Sequence, residues 1–155
     1  MHIDYLANHP ALIPPLAQRC ADEWAHLYLA WGEGEAVEEF RTARTDGGIP
    51  ATLAALDEHH ALLGTVSVIE DDLPGFEHLN PWLATLLVLP EHRGRGVGAF
   101  LVREAERFAR EAGHGEMYLF TEAADGLFRR MGWLEMAETT ANGHEVRVFR
   151  RELKA

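Results

Sequence analysis

The sequence has little cysteine and lysine and no long apolar segment. Its 155 residues include one cysteine, Cys20, and one lysine, Lys154. A single cysteine excludes an internal disulfide and is typical of a reducing compartment, so we expect a cytoplasmic protein. There is no leader with a basic start and an apolar centre, and no apolar run of bilayer length, so we expect neither secretion nor a membrane partner.

Positive charge is scarce overall and concentrated in one segment. The net charge of −11 at pH 7 argues against a nucleic-acid partner, since nucleic acids bind basic surfaces. Eight acidic residues and no lysine or arginine lie between Thr45 and His92, whereas five arginines and two glutamates lie between Arg93 and Arg110. This distribution indicates an anionic ligand at the basic segment and a cationic one elsewhere, although acidic residues also simply keep proteins soluble.

The length and the hydrophobic periodicity predict one domain, residues 1–155, that mixes helices and strands. Pro14 and Pro15 are expected to shorten or kink the first helix. Asn142-Gly143 predicts a two-residue hairpin turn. The predicted helices are His9–Tyr28, Glu35–Arg44, Val97–Ala112 and Ala123–Met131, and the predicted strands are Ile3–Leu6, Pro50–Leu56, Leu62–Ile69, Trp82–Leu89, Glu116–Thr121, Trp133–Thr139 and Glu145–Glu152.

A glycine-rich segment joins a predicted buried strand to the clearest predicted helix. Residues 90–99 read Pro-Glu-His-Arg-Gly-Arg-Gly-Val-Gly-Ala and follow the apolar run Trp82–Leu89. Glycines let backbone N–H groups approach an anion, and the first N–H groups of a helix are unpaired and partly positive. The segment therefore predicts a phosphate-binding loop.

Two common phosphate-binding motifs fit this loop poorly. The P-loop needs a Gly-Lys pair, and there is no lysine before Lys154. The dinucleotide-binding motif is matched by Gly94, Gly96 and Ala99, with Glu122 as the acid after the next strand. However, the 33 residues after Glu122 are too few to continue a doubly wound sheet. Dinucleotide binding therefore stays as the weaker alternative.

A third motif agrees with more of the chain. The pattern Arg93-x-x-Gly96-x-Gly98 after a strand resembles the acyl-CoA-binding motif of the GNAT acetyltransferase superfamily. The exit Val88-Leu89-Pro90, the helix after the loop, strand 117–120 and the ending 128–133 are similar to the second half of that family. The resemblance implies an α/β (α+β) fold with a mixed, mostly antiparallel sheet, flanked by helices and splayed at the acyl-CoA site. It implies an N-acetyltransferase that moves acetyl from acetyl-CoA to a primary amine by direct attack.

The resemblance also implies which residues contact the cofactor. Loop backbone groups hold the pyrophosphate, and the preceding strand pairs with the pantetheine through its main chain. Thr121 stands where many relatives have a cofactor-contacting asparagine, and Phe128 where many have a tyrosine that acts as general acid. The implied acetyl-CoA residues are Leu87, Val88, Arg93, Gly94, Arg95, Gly96, Val97, Gly98, Ala99, Thr121 and Phe128.

The catalytic groups are less defined than the cofactor site. Because the predicted strand carries no acid or histidine, candidate bases come from the preceding loop: Asp71, Asp72, Glu77 and His78. Phenylalanine cannot donate a proton, so water or the Thr121 hydroxyl is the candidate acid. Each loop residue is also what a solvated loop would carry. A non-catalytic acyl-CoA-binding sensor or partner module is therefore the alternative function.

The sequence predicts neither a metal site nor a particular acceptor. It has nine histidines, but the adjacent pair His59-His60 points in different directions and no other group has metal-ligand spacing. The acceptor is expected to be a small-molecule or peptide amine, and the protein a monomer or homodimer.

Overall fold

A computed structural model describes residues 1–122 and 125–154. Over these residues, a seven-stranded sheet is flanked by helices on both faces. The strands are β1 His2–Tyr5, β2 Ala51–Leu56, β3 Leu62–Ile69, β4 Trp82–Val88, β5 Glu116–Thr121, β6 Leu134–Ala141 and β7 His144–Glu152. The helices are α1 Ile13–Trp24, α2 Glu33–Thr42, α3 Val97–Glu111 and α4 Asp125–Arg130, and 3₁₀ turns lie at Leu6–Asn8, Pro10–Leu12, Ala25–Leu27 and Pro90–His92.

The sheet is mixed and mostly antiparallel, as expected. Its strand order is β1-β2-β3-β4-β5-β7-β6, and β4–β5 is the parallel pair. A doubly wound dinucleotide fold needs a mainly parallel sheet, so this order overturns the dinucleotide alternative. Strands β4 and β5 share a single register pair, Trp82 with Tyr118, beside the hydrogen bond from Tyr118 N–H to Pro81 O at 3.0 Å. Beyond that point the two strands diverge.

A β-bulge interrupts β4 just after the strands part. Thr65 on β3 pairs with Leu87, but Ser67 pairs with Ala84, so β4 has one residue more than β3 over this interval. Thr85 lies in the bulge and has a φ of 46°, which is in the left-handed region. The bulge therefore changes the direction of the β4 backbone groups at the point where the sheet opens.

Helices cover the two faces of the sheet and fix the position of the loop. Helix α3 packs an apolar stripe that includes Val97, Leu101 and Ala105 on one face, as its periodicity predicts. Helices α1 and α2 pack against Ala54 and Leu56 of β2 on the opposite face. Because α3 is held along its length, its N-terminus is fixed beside the end of β4.

Some predicted helix bounds were wrong. The predicted helix His9–Tyr28 is a 3₁₀ turn, then α1, then a second 3₁₀ turn. Pro14 and Pro15 lie in the first turn of α1, where proline removes no intrahelical hydrogen bond. They therefore shorten the predicted helix, which begins at Ile13, and do not kink it. Helix α2 starts at Glu33 instead of Glu35, because the Glu35 side chain accepts the Gly32 N–H at 2.9 Å and closes the N-terminus.

The predicted helix Ala123–Met131 corresponds to α4, and residues 123–124 lie outside the described residues. The hairpin turn is confirmed, since Asn142 and Gly143 both have positive φ. Over residues 1–122 and 125–154, no helix combines the length and the apolar composition that crossing a bilayer requires.

Candidate active site

A cleft of about 220 Å³ opens where β4 and β5 diverge. Its walls come from β4 around the bulge, the C-terminal half of β5, α4, the end of α1 with the segment that follows it, and the loop before β4. The lining residues are Glu23, Trp24, Leu27, Tyr28, Asp72, Leu83, Ala84, Thr85, Leu86, Leu119, Phe120, Thr121, Glu122 and Phe128. Two neighbouring strands that part in the middle of a sheet leave backbone groups without ladder partners, so an extended ligand can pair with them.

The predicted phosphate loop has the backbone geometry that anion binding needs. Gly94 and Gly96 have φ values of 76° and 81°, and Gly96 is the N-cap of α3. The first backbone hydrogen bond of α3 runs from Phe100 N–H to Gly96 O at 3.0 Å. The N–H groups of residues 97–99 precede this bond and point out of the helix end. The loop therefore presents partly positive donors beside the end of β4, where a Cβ on Gly98 would lie 3.6 Å from Val88 Cγ2.

Strand β4 presents the backbone of Val88 to the same region. Leu89 N–H donates to Leu63 O on β3 at 3.0 Å, and antiparallel ladders alternate, so the Val88 backbone groups point away from β3. Arg93 Nε donates to Val88 O at 3.1 Å, which leaves the Val88 N–H as the donor of this residue for a ligand. Arg95 is exposed on the loop.

The other predicted cofactor residues divide into two groups. Thr121 and Phe128 line the cleft. The Phe128 ring is buried and packs at centroid distances of 6.0 and 6.4 Å from the rings of Trp133 and Phe149. Leu87 does not face the cleft, because its backbone pairs with Thr65 and its side chain lies in the core with α1 and α2.

Asp72 is the loop acid that the structure brings to the centre of the site. Tyr28 Oη donates to Asp72 Oδ1 at 2.7 Å. Burial raises the pKa of Asp72 to about 7, the Tyr28 hydrogen bond opposes this rise, and the nearby Glu39 charge adds to it. Burial and the Asp72 charge also raise the pKa of Tyr28, so its hydroxyl stays a donor. A carboxyl that changes protonation near neutral pH in a cleft is a candidate general base.

A second cavity of about 420 Å³ lies on the other side of the Tyr28–Asp72 pair. Its residues are Tyr28, Leu29, Ala30, Trp31, Glu39, Ile69, Asp71, Asp72, Leu73, Pro74, Glu77, Ala84 and Thr85. It contains four acids, and lysine and arginine are absent from this lining. Burial raises the pKa of Glu39, and a hydrogen bond from the Trp31 side chain opposes the rise. The cavity combines aromatic walls with negative charge, which suits a cationic group.

The remaining three loop candidates do not line the cleft. Asp71 is exposed and lines the second cavity. Glu77 is exposed at the rim of the second cavity, and the hydrogen bond from Gly75 N–H to its Oε1 at 3.0 Å lowers its pKa. His78 is exposed, stacks against Phe76 at a ring-centroid distance of 6.4 Å and lines neither cavity. Of the four predicted bases, Asp72 alone lines both cavities.

Sequence reasoning missed three residues of the site. Tyr28 and Glu39 come from the first half of the chain and carry no motif. Thr85 is the polar residue in an otherwise apolar strand, and this feature of the sequence could have identified it as a site residue. Its Oγ1 donates to Ser67 Oγ at 2.5 Å, and Ser67 Oγ lies 2.8 Å from Thr52 Oγ1. This chain of hydroxyls fixes the bulge from within the sheet.

Comparison with known proteins agrees with the fold. Residues 16–133 match the sequence model of the Acetyltransferase (GNAT) family, and the chain therefore belongs to this family of acetyltransferases.

Two solved structures with similar folds are those of acetyltransferases. One is an aminoglycoside 6'-N-acetyltransferase complexed with coenzyme A, with a TM-score of 0.75, 16% identity and coverage of 100% of this chain and 98% of that one. Another is a GNAT superfamily phosphinothricin acetyltransferase from Sinorhizobium meliloti in complex with AcCoA, with a TM-score of 0.74, 21% identity and coverage of 98% and 88%. At these identities the similarity shows the fold alone.

A relative by sequence is N-acetyltransferase 8B from Homo sapiens. It is 31% identical over 87 residues, which are 54% of this chain and 38% of that protein. The match thus covers well under half of the human protein.

Proposed function

We propose that this chain is an N-acetyltransferase that transfers acetyl from acetyl-CoA to a primary amine. The observation that carries the proposal is the position of Asp72 between two cavities. One cavity is lined by Phe128 of α4, whose neighbour Leu127 lies against Gly98 at the start of α3, and the other cavity is acidic. Such an arrangement allows a donor and an acceptor to meet at one carboxylate. The family to which the chain belongs supports the same activity.

In the proposed complex, acetyl-CoA fills the gap between β4 and β5. Its pyrophosphate accepts hydrogen bonds from the N–H groups of residues 97–99, with Arg95 adding positive charge. The pantetheine amides pair with the Val88 N–H as an added strand would. Thr85 and Leu86 of the bulge then lie beside the acetyl end. The coenzyme A and acetyl-CoA held by the solved relatives support this choice of donor.

The proposed reaction is a direct attack of the amine on the thioester. The neutral amine nitrogen forms a bond to the thioester carbonyl carbon, and the carbon–sulfur bond breaks to release the CoA thiolate. Asp72 accepts the proton that the amine loses, because a pKa near 7 leaves much of this carboxyl ionised at neutral pH. The thiolate is protonated by water or by the Thr121 hydroxyl, since Phe128 has no proton to donate.

The acceptor we propose is an amine with further positive charges, such as a polyamine or an aminosugar. The second cavity carries Glu39, Asp71, Asp72 and Glu77, and its aromatic wall includes Trp31. Carboxylates and aromatic faces both attract ammonium groups. A relative by structure that acts on aminoglycosides is consistent with this class of acceptor.

A single domain over residues 1–155, a cytoplasmic location and a monomeric or homodimeric state stay predictions.

The test is thiol release from acetyl-CoA with a panel of amines. Diamines and aminosugars should be acetylated faster than neutral amines. Asp72→Asn should lower kcat by about 10²–10⁴-fold while CoA affinity stays unchanged, because the base acts on the amine proton. The matched control is Asp22→Asn, which neutralises an exposed acid that lines neither cavity and should keep most of kcat. The rate should rise with pH through about 7 in the wild type and lose this rise in Asp72→Asn.

A second candidate function is acyl-CoA binding without transfer, and Phe128 is the observation that favours it. Tight CoA binding with no turnover on any amine of the panel would support this sensor function and contradict the enzyme. Equal turnover by wild type and Asp72→Asn would leave the transferase activity intact and refute the role of Asp72.

A further inference from the structure

The structure brings together two histidines and a glutamate that are far apart in the sequence. His26 lies in the 3₁₀ turn after α1, Glu122 follows β5 and His144 opens β7. His26 Nε2 is 2.6 Å from Glu122 Oε1, and His144 Nδ1 is 3.9 Å from Glu122 Oε2. One ligand atom from each of the three residues lies within 4.8 Å of the others. The two imidazole rings meet edge to face at a centroid distance of 4.8 Å.

This donor set has a chemical preference. Two imidazole nitrogens and one carboxylate suit Zn²⁺, Co²⁺, Ni²⁺ and Cu²⁺, whereas Mg²⁺ and Ca²⁺ prefer sets made of oxygen. Tetrahedral ligands about 2.0–2.1 Å from a zinc ion are about 3.4 Å apart. The 2.6 and 3.9 Å distances lie on either side of this value, so small side-chain rotations would complete the geometry. The side chains are 41%, 35% and 47% exposed, so water can supply the remaining ligand.

The backbone around the cluster is held in place by a separate contact. Asn142 Nδ2 donates to His26 O at 2.9 Å and ties the 3₁₀ turn to the β6–β7 hairpin. The three side chains are therefore brought together by three elements whose positions the fold fixes. This supplies part of the ordering that metal binding otherwise requires.

We propose that His26, Glu122 and His144 form a site for one Zn²⁺ or a chemically similar divalent ion. The ion would replace the proton shared by His26 and Glu122 and would connect the turn after α1 to β5 and β7. It takes no part in acetyl transfer, so the proposal does not depend on the proposed function. The sequence predicted no metal, because these residues are separated by 96 and 22 positions and show no ligand spacing.

The test is calorimetric titration of the untagged protein with Zn²⁺ in the absence of CoA, whose thiol would itself bind zinc. We expect one Zn²⁺ per chain. His26→Ala, His144→Ala and Glu122→Gln should each weaken binding at least about tenfold. His59→Ala removes an exposed histidine elsewhere and should leave the affinity unchanged. Co²⁺ should give visible absorption in the wild type and lose it in the same three variants.

Thermal unfolding supplies a readout that controls for folding of the variants. Zn²⁺ should raise the Tm of the wild type by mass action and leave the Tm of the three variants unchanged. Without metal, each variant should unfold cooperatively. Affinity that is equal in wild type and variants, or that falls as much in His59→Ala, would overturn the site. So would the absence of saturable binding of one ion per chain.

Discussion

Asp72→Asn should make the protein more stable above neutral pH. The wild-type carboxyl is ionised there in a site where burial disfavours the charge. Asparagine is neutral at every pH and keeps an oxygen that accepts the Tyr28 hydroxyl, which lies 2.7 Å from Asp72 Oδ1. The substitution therefore removes the cost of the charge and retains the hydrogen bond.

The magnitude follows from the pKa. Asp72 titrates near 7 in the folded chain and near its ordinary value of 3.8 in the unfolded chain. About three pH units, at 1.36 kcal/mol each, set an upper bound of about 4 kcal/mol on the cost of ionisation. Water in the open cleft screens part of this charge, so we expect a gain of about 1–2 kcal/mol in the free energy of unfolding. For a chain of this length that is a Tm increase of about 2–8 °C.

The pH dependence gives the prediction its sign. Above pH 7 the wild-type carboxyl is ionised in both states, so the gain from asparagine is complete. Between pH 7 and pH 4 the folded wild type keeps its proton while the unfolded chain loses it, so the gain shrinks as pH falls. Thermal unfolding at pH 8 and pH 5.5 should show the difference in Tm roughly halved at the lower pH. A loss of stability at pH 8, or a gain that is equal at both pH values, would refute the raised pKa of Asp72 in the folded chain.

Three further variants probe the sheet and the loop. Gly64→Ala should cost about 1–3 kcal/mol in urea unfolding, because its Cβ would lie 2.5 Å from Leu87 O on the neighbouring strand. Ser67→Ala should cost a similar amount, about 1–3 kcal/mol, because the buried Thr52 hydroxyl and the half-buried Thr85 hydroxyl both lose their hydrogen-bond partner. Gly96→Ala should weaken CoA binding in calorimetry about tenfold and cost about 1–2 kcal/mol, because φ of 81° disfavours any side chain and the loop N–H groups would turn away.

Each variant has a matched control. Gly115→Ala adds a methyl where nothing lies within 4 Å and φ is not positive, so it should alter neither urea unfolding nor CoA binding. Thr140→Val removes an exposed hydroxyl and keeps the branched side chain, so it should change stability by less than about 0.5 kcal/mol. Gly64→Ala or Ser67→Ala at wild-type stability would contradict the close strand contact or the buried hydroxyl chain. Gly96→Ala with unchanged CoA binding would remove the phosphate loop from the proposal.

Local patterns predicted the second half of the fold well. The strand before the loop, the glycines at 94 and 96 and the stripe of α3 are short-range features, and each dictates its own backbone geometry. The turn at Asn142 and Gly143 is of the same kind. The mostly antiparallel sheet followed from the resemblance that these segments carry together.

Long-range features could not be predicted in this way. Tyr28 donates to Asp72 across 44 residues, and the sequence gives no sign that the turn after α1 reaches the loop before β4. The bulge at Thr85 depends on the register between two strands, which periodicity does not specify. Leu87 was assigned to the cofactor because it lies in the right strand. The bulge, together with strand alternation, turns its backbone toward β3 instead.

The single register pair between β4 and β5 divides the sheet mechanically. Strands β1–β4 form one hydrogen-bonded ribbon and β5–β7 another, joined at Trp82 and Tyr118 near one edge of the opening. A ligand that pairs with β4 inside the gap contacts both ribbons and restricts their rotation about the Trp82–Tyr118 pair. Amide hydrogen exchange should therefore slow on both sides of the gap when the cleft is filled, including at positions that never touch the ligand.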